Sequence, residues 1–252
     1  MNDIPNSSRD TGQNVLTSLS EEKISKKYIE ILKVIGRTSL GSIYMVDLCR
    51  KKIKLISEKP LLFSDLRSNE IERLGYNFYR KYTKPEDLEI LESVSNLGFK
   101  FFKCLPFEDR QSYSITYDFH LTNVNNVNVL INHKITPLEF CEDGNMIKAL
   151  CVFSYSLNKK AGNLCVGSNN SEIFWRYNFK TGKWLEESKI TLKMREVQII
   201  QLYLQGFKIE EIAERLFVSP NTIKFHRSKL FEKIGVNNIT EAISYVISNN
   251  LI

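Results

Sequence analysis

The feature that most constrains this chain is a series of short apolar-periodic segments near its C-terminus, each ended by a residue suited to stopping a helix. Val197, Ile200 and Leu204 recur at helical spacing across residues 191–204. Gly206 then stands where a helix end calls for a left-handed residue. A second helix is expected over 209–217, with Ile212, Ala213 and Leu216 on one face. The turn after it is Val218-Ser219. The Ser219 hydroxyl suits an N-cap because it can accept an orphan backbone N–H, and Pro220 is preset for the first helical position. The spacing predicts a third helix to about Ile234, stopped by Gly235, and a fourth over about 239–249 carrying Ala242, Ile243 and Val246. Two short helices joined by a tight turn, the second rich in Lys and Arg, form a helix-turn-helix layout.

Charge is concentrated in the same place. Residues 189–252 hold nine Lys and Arg against six Glu and no Asp, a balance of +3 in 64 residues. The other 188 residues reach the same +3 with 26 basic and 23 acidic groups, so the positive balance is about threefold denser at the C-terminus. That bias favours a polyanionic partner or a plain solvated surface. With 42% hydrophobic and 25% charged residues, the composition is that of a globular chain of one or two domains. No stretch has the roughly 18 uninterrupted apolar residues of a membrane span. The polar first twenty residues give no sign of a secretory leader. Five cysteines (Cys49, Cys104, Cys141, Cys151, Cys165) without a CxxC pair disfavour a disulfide scaffold and a structural zinc site, and a cytoplasmic setting is expected.

Upstream the periodicity is mixed. Residues 1–19 read as a flexible tail. Ser18 and Glu21 form a capping-box pattern for a helix to about Val34, with apolar positions Ile24, Tyr28, Ile31 and Leu32. Ile43–Leu48 and Ile53–Ile56 flank the turn Arg50-Lys-Lys52 as a hairpin. Residues 61–102 turn helical, with Pro85-Glu-Asp-Leu88 as a helix start. Strand-like runs follow at 113–120, 126–134 and 146–155, and a further pair of short strands lies between Asn163 and Glu186. This order of elements resembles a PAS sensor domain over roughly residues 40–156. Tyr82-Thr-Lys-Pro-Glu-Asp-Leu88 is similar to that family's "hPeD" segment, and Asp143-Gly144 before Ala149-Leu-Cys-Val152 resembles its last turn and strand. Another α+β domain is the alternative. The aromatics Phe63, Tyr76, Phe78, Tyr82, Phe101 and Phe102 either line a cavity or pack a core.

The C-terminal segment resembles the LuxR-type (NarL/FixJ-like) DNA-binding domain over about residues 190–250. The family run is matched by Gly206, Glu211, Ile212, Ala213, Leu216, Val218, Ser219, Thr222, Ile223, Lys224, His226, Leu230, Lys233, Ile234, Gly235 and Val236. Three positions depart from it. Met194 replaces a usual Glu, leaving Thr191 without a reciprocal capping partner. Lys208 replaces the small N-cap of the second helix, at a cost of about 1 kcal/mol that Glu210 and Glu211 partly offset. Ile239 replaces a common Arg.

Helical spacing turns Ile223, Leu230 and Ile234 inward and Asn221, Lys224, Phe225 and Ser228 outward. The resemblance implies that the outward stripe enters the major groove. Lys224 can then donate to guanine or phosphate, and Phe225 can pack on a thymine methyl unless it is a packing residue. Arg227, Lys229 and Lys233 are expected at phosphates or as solvated charge. Thr222 caps or touches phosphate, and His226 packs or faces phosphate.

Against an enzyme, His120 and His133 lack metal-ligand or catalytic context, and no Gly-rich phosphate loop or GxSxG is present, so no catalytic or metal-binding residue is expected. The flavin-type Asn-Cys-Arg-Phe run is missing and no His is placed for haem, so no cofactor is identified. The expected architecture is α+β: a PAS-like antiparallel sheet with helices over 20–186, then an all-α four-helix helix-turn-helix domain over 187–252. The expected function is a one-component transcriptional regulator. It would bind double-stranded DNA as a homodimer, respond to a small-molecule or protein signal, engage RNA polymerase, and have no membrane partner. The alternative is a signal-dependent protein-interaction module whose DNA binding is secondary.

Overall fold

The computed structural model describes residues 29–38, 41–55, 57, 68–123, 126–249 and 251–252. The described residues divide into two compact units, one holding those up to 170 and 175–185, the other 171–174 and those from 186 on. The expected capping box at Ser18 and Glu21, and Phe63, lie outside the described residues. Helix α1 occupies 29–38.

The first unit is built on one sheet. Strands β1 (Ser42–Asp47) and β2 (Lys52–Leu55) form the expected hairpin. Helical segments follow: α2 (Ser68–Leu74), α3 (Asn77–Tyr82), a 3-10 turn at Pro85–Asp87, α4 (Leu88–Ser93) and α5 (Phe99–Cys104). Next come β3 (Tyr113–Thr122), β4 (Asn128–Phe140), β5 (Met146–Tyr155), β6 (Gly162–Ser168), β7 (Ile173–Asn178) and β8 (Lys183–Ser188). The sheet order is β2-β1-β5-β4-β3-β6-β7-β8, antiparallel from β2 through β6.

The core follows from strand periodicity. Ile115, Tyr117, Phe119 and Leu121 alternate along β3. With Ile131 and Ile135 of β4, Ala149, Cys151 and Phe153 of β5, and Leu164 and Val166 of β6, they join one cluster with Phe78, Tyr79, Val94 and Phe102 of the helical stretch. Of the aromatics proposed to line a cavity or pack, Phe78 and Phe102 are core, while Tyr76, Tyr82 and Phe101 pack against it. Two buried carboxylates lock the layers. Asp87 Oδ2 accepts the His120 backbone N–H at 2.6 Å, with His120 Nδ1 2.7 Å away, which ties the Pro85–Asp87 turn to β3. Asp118 accepts amide N–H groups from Asn132 (2.9 Å), Asn158 (2.6 Å) and Asn163 (2.8 Å), so its burial is compensated by hydrogen bonds.

His133, also buried, is held between two hydroxyls: Tyr44 Oη lies 2.6 Å from Nε2 and Tyr117 Oη 2.6 Å from Nδ1. Tyr44 also hydrogen-bonds Tyr79. Burial lowers the His133 pKa to about 3, so the ring is neutral, one nitrogen donating and the other accepting.

Three boundaries differ from expectation. The helical run over 61–102 is interrupted at Gly75, whose φ of 51° and close approach to the Lys51 carbonyl oxygen (2.6 Å from where a Cβ would stand) leave no room for a side chain. Strand β4 runs past 134 to Phe140 and contains Pro137. The ladder to β5 is irregular between Pro137 and Glu139, which accommodates the missing N–H. Between Asn163 and Glu186 the turns fall as expected, but they separate three strands rather than two.

The second unit contributes α6 (Met194–Leu204), α7 (Ile209–Arg215), α8 (Pro220–Ile234) and α9 (Ile239–Ser248).

Candidate nucleic-acid interface

Helix α8 is positioned by two apolar contacts along its inner side. Near its start, Ile223 packs with Ile199 of α6 and Ile212 and Ala213 of α7. Near its end, Leu230 and Ile234 pack with Ile200 of α6 and Ala242 and Val246 of α9. All nine side chains are buried, so the roll of α8 about its axis is fixed at both ends.

The helix ends are chemically defined. Ser219 Oγ accepts the Thr222 N–H at 3.2 Å and contacts Thr222 Oγ1 at 2.9 Å, which puts Thr222 in the cap. Pro220 occupies the first turn. At the other end Gly235 takes φ 70°, and its N–H donates to the Phe231 carbonyl.

The two nonstandard caps are compensated in one way. Helix α6 starts at Met194 rather than 191, because Lys193 is extended and its N–H donates to Glu196 Oε2 at 2.7 Å. At α7 the Lys208 N–H donates to Glu211 Oε2, also at 2.7 Å. In each case a glutamate three residues on supplies half of a capping box without a small N-cap side chain.

Asn221, Lys224, Phe225 and Ser228 are exposed along one stripe of α8. Phe225 is 59% exposed and belongs to neither apolar cluster of the unit. Lys224 has no ion-pair partner among the described residues. The other cations are more engaged. Lys229 pairs with Glu232 at 2.8 Å on the surface. Arg227 is half-buried, with Nη1 3.5 Å from the Tyr203 hydroxyl and its guanidinium 5.8 Å from the Phe231 ring. The half-buried His226 ring meets Phe225 edge-on at 5.8 Å. Lys233 Nζ lies 2.8 Å from Glu196 Oε2. Burial pushes the Glu196 carboxyl upward, but the Lys233 ammonium and the Lys193 N–H outweigh it and hold the pKa below its ordinary value.

Two features escaped the sequence reading. One is the Glu196–Lys233 pair, which joins α6 to α8 across 37 residues. The other is Phe217, expected inside the second helix. It lies in the turn instead, at φ 54° and 94% exposed. The available signal was the run Leu216-Phe217-Val218, since three consecutive apolar residues cannot share one helix face.

The arrangement offers a rigidly seated helix whose outward stripe carries a cation, an aromatic ring, an amide and a hydroxyl. These are the groups with which side chains meet base edges and phosphates in a major groove.

Comparison with known proteins agrees with this geometry. Residues 191–246 match the model described as bacterial regulatory proteins, luxR family. The chain is 38% identical over 61 residues to the Fimbriae Z protein of Salmonella typhimurium, covering 24% of this chain and 29% of that protein. It is 34% identical over 82 residues to the oxygen regulatory protein NreC of Staphylococcus aureus, covering 32% and 37%. The chain thus spans about a third of the length of these relatives. A solved structure of the phage VqmA–DPO complex aligns over 90% of this chain and 89% of its own, at 14% identity and a TM-score of 0.30. That likeness is too slight to define the N-terminal fold. The two-ended seating of α8, its Ser219–Pro220 start and the match over 191–246 establish that the C-terminal segment is a LuxR-type helix-turn-helix domain.

Proposed function

We propose that this chain is a one-component transcriptional regulator that binds duplex DNA through α8, with the N-terminal unit acting as a PAS-like sensor. The observation that carries the reading is the two-sidedness of α8, with Ile223, Leu230 and Ile234 buried and Asn221, Lys224, Phe225 and Ser228 exposed. In this reading Lys224 and Phe225 meet base edges, and Asn221 and Ser228 flank them. Thr222, His226, Arg227, Lys229 and Lys233 face the backbone, Thr222 and Lys233 through groups that also hold the domain together. The division of labour falls at about residue 187, after a tail over 1–19 and a sensor over 20–186.

The order of two strands, several helical segments and three antiparallel strands supports the PAS-like reading. A homodimer is proposed because a single reading helix offers few base contacts, whereas two half-sites multiply them. The candidate surfaces are α9, where Ile247 is 50% exposed, and α1, where Ile31, Val34 and Ile35 are all about half exposed at helical spacing. RNA polymerase and a small-molecule or protein signal complete the proposed partners, in the cytoplasm. No helix among the described residues is long and apolar enough to cross a membrane.

The test is selection of duplexes from a random pool by the full chain, followed by affinity measurements at several salt concentrations. Enrichment of one sequence, with affinity falling steeply as salt rises, is expected because bound Lys and Arg displace condensed counterions. No enrichment and no retention at low salt would overturn it, and a stable protein complex in their place would favour an interaction module.

A further inference from the structure

We propose that the N-terminal unit carries a binding cavity for a small organic anion, a carboxylate on an aromatic or branched aliphatic body. The cavity has a volume of about 240 Å³ and opens between the β1–β2 turn, the start of α3, α5 and the β4–β5 turn. Leu48, Tyr76, Phe99 and Phe102 form much of its wall. All four belong to or pack against the main core, so the wall is in place before any ligand arrives. Its volume is below the roughly 300–1,000 Å³ of sites for drug-sized ligands, which suits a small acid better than a nucleotide or a macrocycle.

The rim gives the sign of the charge. Lys51, from the β1–β2 turn, and Lys103, from α5, both line the cavity and are exposed. Neither has an ion-pair partner among the described residues. No carboxylate lines the cavity. Those nearest in sequence are occupied or turned to solvent: Asp47 accepts the Arg50 N–H at 2.7 Å, and Glu142 and Asp143 are exposed in the β4–β5 turn. Burial first, then the neighbouring Cys151 thiol and Asp47 carboxylate, push the Tyr76 pKa up, so its hydroxyl stays protonated. A largely apolar lining that includes two lysines without ion-pair partners and no carboxylate complements an amphipathic anion.

Lys51 has φ 53°, a left-handed conformation that glycine adopts at less cost, and its carbonyl accepts the Tyr76 N–H at 3.3 Å. That conformation closes the β1–β2 turn and fixes the backbone from which the Lys51 side chain departs at the cavity.

The binding depends only on this geometry. That occupancy acts as the signal for DNA binding rests on the sensor reading given above.

The test is calorimetric titration of the full chain with 4-phenylbutyrate and with its uncharged counterpart, 4-phenylbutan-1-ol. The acid is expected to bind saturably with one site per chain, and the alcohol at least about tenfold more weakly. Lys51→Gly, which also relieves the backbone, combined with Lys103→Met should lower the affinity for the acid by about tenfold or more. It should leave the affinity for the alcohol unchanged and the melting temperature no lower than the parent's. Should the double variant lose stability, Lys103→Met alone, at an exposed position of α5, carries the same comparison. Equal affinity for acid and alcohol, undiminished binding of the acid by a folded variant, or no saturable binding of either compound would overturn the proposal. DNA retention measured on the same preparations keeps the two readings apart. Retention without acid binding sinks only the cavity, and acid binding without retention sinks only the regulator.

Discussion

Lys224 and Phe225 are adjacent and both exposed, yet they offer a duplex different things. Lys224→Ala should weaken binding to most sequences and flatten the salt dependence by about one unit if the ammonium meets phosphate. If it reads guanine, the loss should be about 1–3 kcal/mol and confined to particular sites. Phe225→Ala should leave the salt slope alone and relax preference at a thymine position. Leu230→Ala is the contrast, since emptying a buried site should cost about 2–5 kcal/mol of stability. Affinity at several salt concentrations, read beside melting temperature, separates the three. His133 makes a prediction of a different kind. Its folded pKa of about 3 lies below that of a free histidine, so the unfolded chain takes up the proton first as pH falls. The stability owed to the neutral ring is therefore complete above about pH 6.5 and declines toward pH 3, at a limiting slope of about 1.4 kcal/mol per pH unit. Urea unfolding of His133→Gln between pH 4 and 6.5 should show a shallower slope than the parent. An unchanged slope would refute the buried neutral imidazole.

At the scale of elements, α8 was legible in the sequence because every signal agreed. Ser219 and Pro220 mark its start, Gly235 its end, and the apolar period its inner face. Ser219→Ala should cost about 1 kcal/mol, measured by chemical denaturation, because the Thr222 N–H loses its acceptor. The sequence pattern starts α6 three residues early because its cap is a backbone N–H held by Glu196, a bond that leaves no mark at the N-cap position itself. The sequence pattern ends β4 at 134, short of Phe140, since the irregular pairing that tolerates Pro137 depends on the partner strand β5 and on nothing local. His133 was visible only as a histidine on a strand. Its partners Tyr44 and Tyr117 lie 89 and 16 residues away, and only the strand pairing brings them together.

For the whole molecule, the proposed binding of duplex DNA through α8 calls for more contact than one helix offers. The proposed second copy would supply it, joined through α1 or α9. The exposed stripe Ile31, Val34 and Ile35 makes α1 the more testable surface, because these side chains are not needed to fill a core. Ile31→Glu with Val34→Glu should shift sedimentation toward the monomer while leaving the melting temperature within a few degrees. Ile247→Glu, near the end of α9, tests the other surface in the same way. A parent chain that sediments as a monomer both with and without its selected DNA would rule out both.

The separation of the two sides of α8 also bears on how such a protein diverges. Residues 221, 224, 225 and 228 contribute little to the packing that holds the domain, so a duplicated copy could change its target by substitution there without first acquiring stability elsewhere. Drift at Ile223, Leu230 or Ile234 has no such freedom, because each change opens a void between helices. Among descendants of a common ancestor, the outward stripe of α8 should therefore vary with the DNA addressed while the inward one stays apolar. Exchanging those four side chains between two copies should move target preference with them and leave the unfolding midpoint where it was.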